Sequence, residues 1–300
     1  MPVDTGDSVG RYVLGRRLGA GGMGAVYLAM DGGLRVAIKI PYGELLADDY
    51  ALNRFRDEAL AGSIVSHPNI ARVLDHGATS SGLPYLVMEY VPGERLGART
   101  LPPLRQSATI VQRVLEGLGA LHAADIVHGD VKTDNIIVGR HGVKLIDFGL
   151  AHVSGVVSMY QIVSGTPDYM APEVIRGEGS TAASDIYAAG VILYELITGE
   201  TPFSGGDSAE IVRRHLNEQV VPPSLRRIDV EVPASLERIV MRALAKHPKK
   251  RPSSAVEFAA ALEVTSASLD DRIPARRRHE RPARHAMRTT SPVPRAGSHA

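Results

Sequence analysis

The sequence predicts an α+β fold in two lobes, a small strand-rich N-terminal lobe followed by a larger helical one. Two observations carry this expectation. β-Branched runs punctuated by glycine turns fill about the first ninety residues, and helical apolar periodicity takes over after Pro92-Gly93. The 300 residues are ample chain for a sizeable core.

Taken in order, Tyr12-Val-Leu and Ala25-Val-Tyr-Leu-Ala flank a glycine cluster and read as strands. Arg35-Val-Ala-Ile-Lys-Ile follows the Asp31-Gly-Gly turn as a third. A helical stretch over residues 48–65 stops at His67-Pro68, because the residue before a proline is biased out of the helical region. Residues 73–78 and 85–90 read as further strands, and helices are expected over 104–124, 182–198, 208–217, 235–245 and 253–262. The change of character places a cleft near residues 89–93, and clefts between lobes are favoured ligand sites.

Composition narrows the class. At 44% hydrophobic and 22% charged, the chain is ordinary for a soluble globular protein. With no cysteine, neither a disulfide framework nor a Cys-ligated metal is possible, and a reducing cytoplasm is the expected compartment. The N-terminus lacks the basic and apolar regions of a signal peptide. The longest apolar run, Ile186 to Tyr194, falls short of the ~20 residues that span a bilayer, so a buried helix is expected there and no transmembrane segment. The net charge of +1 conceals an asymmetry: from Thr265 onward eight arginines face Asp270, Asp271 and Glu280, leaving a +5 tail on a −4 body. The expected organisation is an extension over 1–10, a folded domain over 11–264 with lobes 11–91 and 92–264, and a disordered basic tail over 265–300.

Several short patterns carry chemistry. Leu18-Gly19-Ala20-Gly21-Gly22-Met23-Gly24-Ala25-Val26 has GxGxxG spacing, which lets bare backbone approach phosphates; alone it fits a hairpin turn equally well. A dinucleotide fold would need a helix after the glycines, and the strand-like Ala25-Val26 run disfavours it. Lys39 ends Val36-Ala37-Ile38 among apolar neighbours, where a point charge could bind phosphates, although singly it also reads as a solvated strand residue. Glu58 could hold that ammonium, or pair with Arg54 one helical turn away. In His128-Gly-Asp-Val-Lys-Thr-Asp-Asn135, Asp130 could deprotonate an acceptor hydroxyl, Lys132 could neutralise a transferring phosphoryl, and Asn135 could ligate a metal. A merely polar turn does not account for Leu145-Ile-Asp-Phe-Gly149 downstream, where Asp147 suits a hard cation such as Mg²⁺.

From about Arg11 to Leu262 the chain resembles eukaryotic-type protein kinases, most of all the bacterial Hanks-type serine/threonine kinases. The glycine loop, Val-Ala-Ile-Lys, His-x-Asp-x-Lys-x-x-Asn, Asp-Phe-Gly and Ala171-Pro-Glu173 occur in that family's order. The resemblance implies a protein-kinase-like two-lobe fold, a protein kinase domain over 11–264, ATP and Mg²⁺ as cofactors, and protein serine or threonine hydroxyls as acceptors, the chain's own included. It implies Asp130 as catalytic base with Lys132, Asn135 and Lys39 completing the catalytic set, and Asn135 with Asp147 as metal ligands. Around the nucleotide it places residues 18–26, Ala37, Lys39, Met88 as gatekeeper, and Glu89 and Val91 in the hinge. Lys39 and Glu58 stand 19 residues apart, as the family's strand-to-helix ion pair requires. Lys132 and Thr166 match the serine/threonine rather than the tyrosine pattern. His128 and Phe148 resemble packed spine residues, Glu173 is expected to pair with Arg251, and Asp185 to tie the catalytic loop to the helix behind it.

Two departures bear on regulation. Gly129 stands where many kinases carry arginine, and Gly62 where a larger apolar residue is common. The helix carrying Glu58 could then need bracing by a partner or by a second copy of the chain, and the basic tail could contact an acidic partner. A pseudokinase scaffold and a small-molecule phosphotransferase are the competing classes. The first usually lacks one of Lys39, Asp130, Asn135 and Asp147, and the second normally lacks Ala171-Pro-Glu173.

Overall fold

The computed structural model describes residues 5–21, 24–43, 55, 62–79, 82–147, 152–153 (backbone only), 167–227 and 230–269. Its N-terminal lobe is a six-stranded antiparallel sheet in the order β1-β2-β3-β4-β6-β5, formed by β1 (Ser8–Val9), β2 (Tyr12–Gly21), β3 (Gly24–Asp31), β4 (Leu34–Pro41), β5 (Val73–Ala78) and β6 (Pro84–Glu89). Alternation sets the register: Tyr12 and Leu14 are buried while Val13 between them is exposed, so one face of the sheet closes on Val36, Ile38, Tyr85 and Val87. The strands fall where the sequence placed them. Of the helix expected over 48–65, Phe55 and residues 62–64 are helical and the rest lies outside the described residues.

Both ends of the expected domain carry further packing. Within the expected extension, Ser8 and Val9 pair with Val13 and Tyr12, and Val9 is buried. The last helix runs to Ser266, Leu269 is buried, and the Leu269 carbonyl accepts a hydrogen bond from the Arg105 guanidinium. The partner of Leu269 is remote in sequence, so a scan for local periodicity passes over it. The rest of the tail, 270–300, lies outside the described residues.

The helical lobe is built on α1 (Leu104–Ala123), α2 (Ala182–Thr198), α3 (Ser208–Asn217), α4 (Ala234–Ala243) and α5 (Ala255–Ser266). The apolar run at 186–194 lies within α2. Every residue from Ser184 to Ile197 is buried, as a helix that is apolar all round must be. At its start the Thr181 N–H donates to Ser184 Oγ at 2.9 Å, and Gly199 at φ 91° ends it in a left-handed cap. The amphipathic α1 lays its buried stripe, Val111, Val114, Leu115 and Leu118 among it, against this core. α5 starts two residues later than periodicity suggests because Ser254 caps it, accepting from the Glu257 N–H at 3.1 Å.

Between the lobes, residues 69–71 run parallel to β10 (Gly142–Leu145), which pairs with β9 (Ile136–Gly139). The Leu145 N–H donates to the Asn69 carbonyl, the Ala71 N–H to the Leu145 carbonyl, and Asn69 Nδ2 to the Val143 carbonyl at 2.8 Å. The crossing thereby fixes β10, and β10 leads directly into Asp147.

Candidate active site

The upper wall of the cleft comes from the sheet. β2 and β3 approach as a hairpin in which Gly21 opposes Gly24 and Gly19 opposes Val26; Gly22 and Met23 lie outside the described residues. At Gly24, φ is 157° and a side chain would run into the backbone of Ile40 and Pro41, so this glycine is needed for strand packing as well as for any phosphate approach. Leu18, Val26, Ala37 and Met88 fall into one apolar cluster with Leu86 and Phe55. Ala37 and Met88 are direct partners across β4 and β6, and both are buried. Glu89 ends β6 and leads to Val91, so the residues expected around an adenine ring form one slot at the joint of the lobes. The Glu89 carboxylate accepts from Lys144 Nζ at 3.0 Å, which ties the hinge to β10.

Lys39, 7% exposed, reaches down from β4 and places Nζ 2.6 Å from Asp147 Oδ1. Glu58 lies outside the described residues. Asp147 has φ 66°, in the left-handed region that few residues other than glycine adopt; aspartate is among the more tolerant. Phe148, Gly149 and Thr166 also lie outside the described residues.

The lower wall is residues 128–135, between β8 (Ile126–Val127) and β9. Lys132 Nζ donates to Asp130 Oδ2 at 2.6 Å. Asn135 Nδ2 donates to the Asp130 carbonyl at 2.9 Å and to Oδ2 at 3.0 Å. Both bonds use the amide nitrogen, so the assigned orientation leaves Asn135 Oδ1 free for a cation. His128 is fully buried, and its Nδ1 accepts the Asp130 N–H at 3.2 Å, leaving the ring proton on Nε2. Burial holds its pKa below the ordinary value, so it is neutral and structural.

Asp185, buried at the start of α2, holds this loop in place. Oδ2 accepts the His128 N–H and Oδ1 the Gly129 N–H, both at 2.9 Å, while His122 Nε2 lies 2.9 Å from Oδ2. Burial pushes this carboxyl up, but the hydrogen bond and charge of His122 and the Gly129 N–H outweigh it and hold the pKa below its ordinary value. Gly129 has φ 75°, a conformation glycine adopts without strain. A second anchor is a buried chain of hydroxyls. Tyr169 OH donates to Glu195 Oε2 at 2.6 Å and stands 2.9 Å from Thr133 Oγ1, joining the catalytic loop to residues 167–169 and α2. Below it, Glu173 pairs with Arg251 through two bonds of 2.6 and 2.8 Å, both side chains buried.

The five residues expected to carry the chemistry form two groups, Lys39 with Asp147 above and Asp130 with Lys132 and Asn135 below, and the Ile146 N–H donating to the Asn135 carbonyl at 2.8 Å sets the two side by side. Sequence reasoning missed His122, Tyr169 with Glu195, and the Glu89–Lys144 pair. Among the described residues no group of three or more His, Asp or Glu could hold a metal by itself. One carboxylate and one amide oxygen with room for phosphate oxygens is what Mg²⁺ accepts, so the donor set fits that ion.

A sheet-capped cleft with this pairing defines a kinase-type phosphotransfer site, and a protein kinase domain model matches residues 12–263; the chain belongs to that family. Among its curated relatives, serine/threonine-protein kinase Pkn1 of Myxococcus xanthus is 40% identical over 298 residues, covering 95% of this chain and 42% of the relative. PknB of Mycobacterium leprae is 40% identical over 266 residues, covering 84% and 42%. The chain thus spans less than half the length of these two relatives. The crystal structure of the Mycobacterium tuberculosis PknI kinase domain (C20A mutant) superposes with a TM-score of 0.68 at 28% identity, covering 89% of this chain and all of that one.

Proposed function

We propose that the chain is a serine/threonine protein kinase that transfers the γ-phosphoryl group of ATP to protein hydroxyls, its own included, with Mg²⁺ at the site. The observation that carries this is the pair of adjoining groups, Lys39 with Asp147 and Asp130 with Lys132 and Asn135, joined where the Ile146 N–H donates to the Asn135 carbonyl. Asp130 orients the acceptor hydroxyl and takes its proton as the oxygen attacks phosphorus and the bond to the β-phosphate oxygen breaks. Lys132 leaves Asp130 for the transferring group and neutralises charge there, and Lys39 does the same for the α/β-phosphates. Asn135 Oδ1 and Asp147 would hold Mg²⁺, which would supply positive charge to screen the phosphates. The apolar slot of Leu18, Val26, Ala37 and Met88 takes the adenine, with the Glu89 and Val91 backbone alongside.

The finer partners belong to the same proposal. A second copy of the chain braces the N-terminal lobe near Glu58, and the arginine-rich segment beyond residue 270 meets an acidic partner. No helix among the described residues is long and apolar enough to cross a membrane, and a cytoplasmic setting is inferred from the cysteine-free composition. The test separates binding from chemistry. Asp130→Asn is expected to bind Mg²⁺·ATP normally while losing about 10²- to 10⁴-fold in phosphotransfer. Asp147→Asn is expected to lose Mg²⁺-dependent ATP affinity. Equal phosphotransfer by wild type and Asp130→Asn overturns the assignment.

A further inference from the structure

The cleft has one conspicuous cation that the reaction above does not use. Arg95 lies on the two-residue strand β7 (Glu94–Arg95), just past the hinge, and both residues of that strand are exposed. Its Nη1 donates to the carbonyl of Asp134, next to the catalytic Asn135, at 2.9 Å. Its Nη2 lies at Gly19 on the glycine hairpin, where a Cβ would stand only 2.9 Å away. The guanidinium therefore spans the mouth of the cleft, from the catalytic loop to the first glycine. A guanidinium carries five donors in a planar fork, and one bond to a backbone carbonyl leaves most of them unused. No carboxylate pairs with Arg95 among the described residues; its neighbour Glu94 is 4.0 Å from Arg99 instead.

We propose that Arg95 selects protein substrates carrying an acidic side chain, carboxylate or phosphate, within a few residues of the acceptor serine or threonine. The nucleotide is the other possible source of an anion. Its phosphates, however, fall to the buried Lys39 in the proposed reaction, whereas Arg95 sits at the exposed rim beside Asp134. An extended peptide advances about 3.3 Å per residue, so a chain whose acceptor hydroxyl reaches Asp130 carries its neighbours outward along this rim. The Asp134 carbonyl aims the fork, and Gly19 leaves it room. A side chain at position 19 would crowd it.

This rests on the protein-kinase reading, and the experiment keeps the two apart. A peptide library with one fixed acceptor and each flanking position scanned through Asp, Ala and Lys is phosphorylated by wild type, Arg95→Ala and Arg95→Glu, with the KM for ATP measured for each. Wild type is expected to favour Asp over Lys at one or two positions. Arg95→Ala is expected to reduce that ratio roughly three- to tenfold, the worth of one partly exposed charged hydrogen bond, and Arg95→Glu to invert it. A library phosphorylated by wild type with no acidic preference overturns the proposal while leaving kinase activity intact. So does a preference that survives Arg95→Glu, an equal loss on every peptide, or a change confined to the KM for ATP. A wild type inactive on every peptide and on itself would instead sink the kinase reading on which the proposal depends.

Discussion

The two walls of the cleft are held by different physics. Below, the backbone of residues 128–135 is fixed by directional bonds to buried groups: Asp185 takes two consecutive N–H groups, and Tyr169 joins Thr133 to Glu195. Above, Leu18, Val26, Ala37 and Met88 form a slot by apolar packing, with Lys39 the one charge that reaches down. In the proposed reaction the lower wall does the chemistry, where a misplacement of 1 Å costs on the order of 10²-fold. The upper wall in that proposal takes a flat, largely apolar ring, which shape and burial suffice to hold.

If that contrast is right, substitutions in the lower wall's anchors cost most. Asp185→Asn keeps the shape but loses an ionised acceptor shared by three donors. The expected result is a loss of about 10²-fold in kcat with little change in the KM for ATP, checked by steady-state kinetics. Because the folded pKa of Asp185 lies below its ordinary value, its stabilisation is complete above pH 3.8 and is lost as pH falls through the folded value.

Next in size is the pair beneath. Arg251→Ala leaves Glu173 buried without its partner and also frees the carbonyls of Ala183 and Ala245. A loss of roughly 3–5 kcal/mol in chemical denaturation is expected. A loss below about 1 kcal/mol would mean that the lobe is not keyed by this pair.

Acid should expose the same asymmetry. His215, buried in the helical lobe beside Tyr187 and Phe203, has its pKa lowered to about 3, first by burial and then by Lys246. The unfolded chain takes up a proton near pH 6.5 and the folded one does not until about 3. Stability therefore falls as pH drops through that window. His215→Gln is expected to flatten the slope of unfolding free energy against pH between 6.5 and 4; an unchanged slope would contradict the assignment.

The smallest effect concerns Gly129. At φ 75° an arginine there costs about 1 kcal/mol, read as a drop in denaturant midpoint. Since glycine brings no charge that needs a phosphate to compensate it, a Ser154/Ser158/Ser164→Ala triple variant is expected to keep near-normal turnover on an outside substrate. A hundredfold loss, about 2.7 kcal/mol, would show that phosphate is required.

Much of this was legible in the sequence because the acting groups lie in contiguous runs. Asp130, Lys132 and Asn135 fall within six residues, Lys39 lies in an apolar strand run, and Asp147 follows shortly after another. Their supports were not legible. His122 meets Asp185 across 63 residues and Tyr169 meets Glu195 across 26, and nothing local to any of them signals the partner. Arg95 reads as one more charge after a glycine, and Leu269 as a lone apolar residue among serines. Only the fold shows that the first spans the cleft mouth and the second closes the helical core.

The most direct test is intact-mass measurement of wild type and Asp130→Asn after incubation with Mg²⁺ and ATP, followed by mapping of the modified residues. Phosphoryl groups on serine and threonine in wild type, and essentially none in Asp130→Asn or when Mg²⁺ is chelated, are the predicted result. Equal phosphorylation of the two proteins, or none in wild type on itself and on a generic basic protein, would contradict the account.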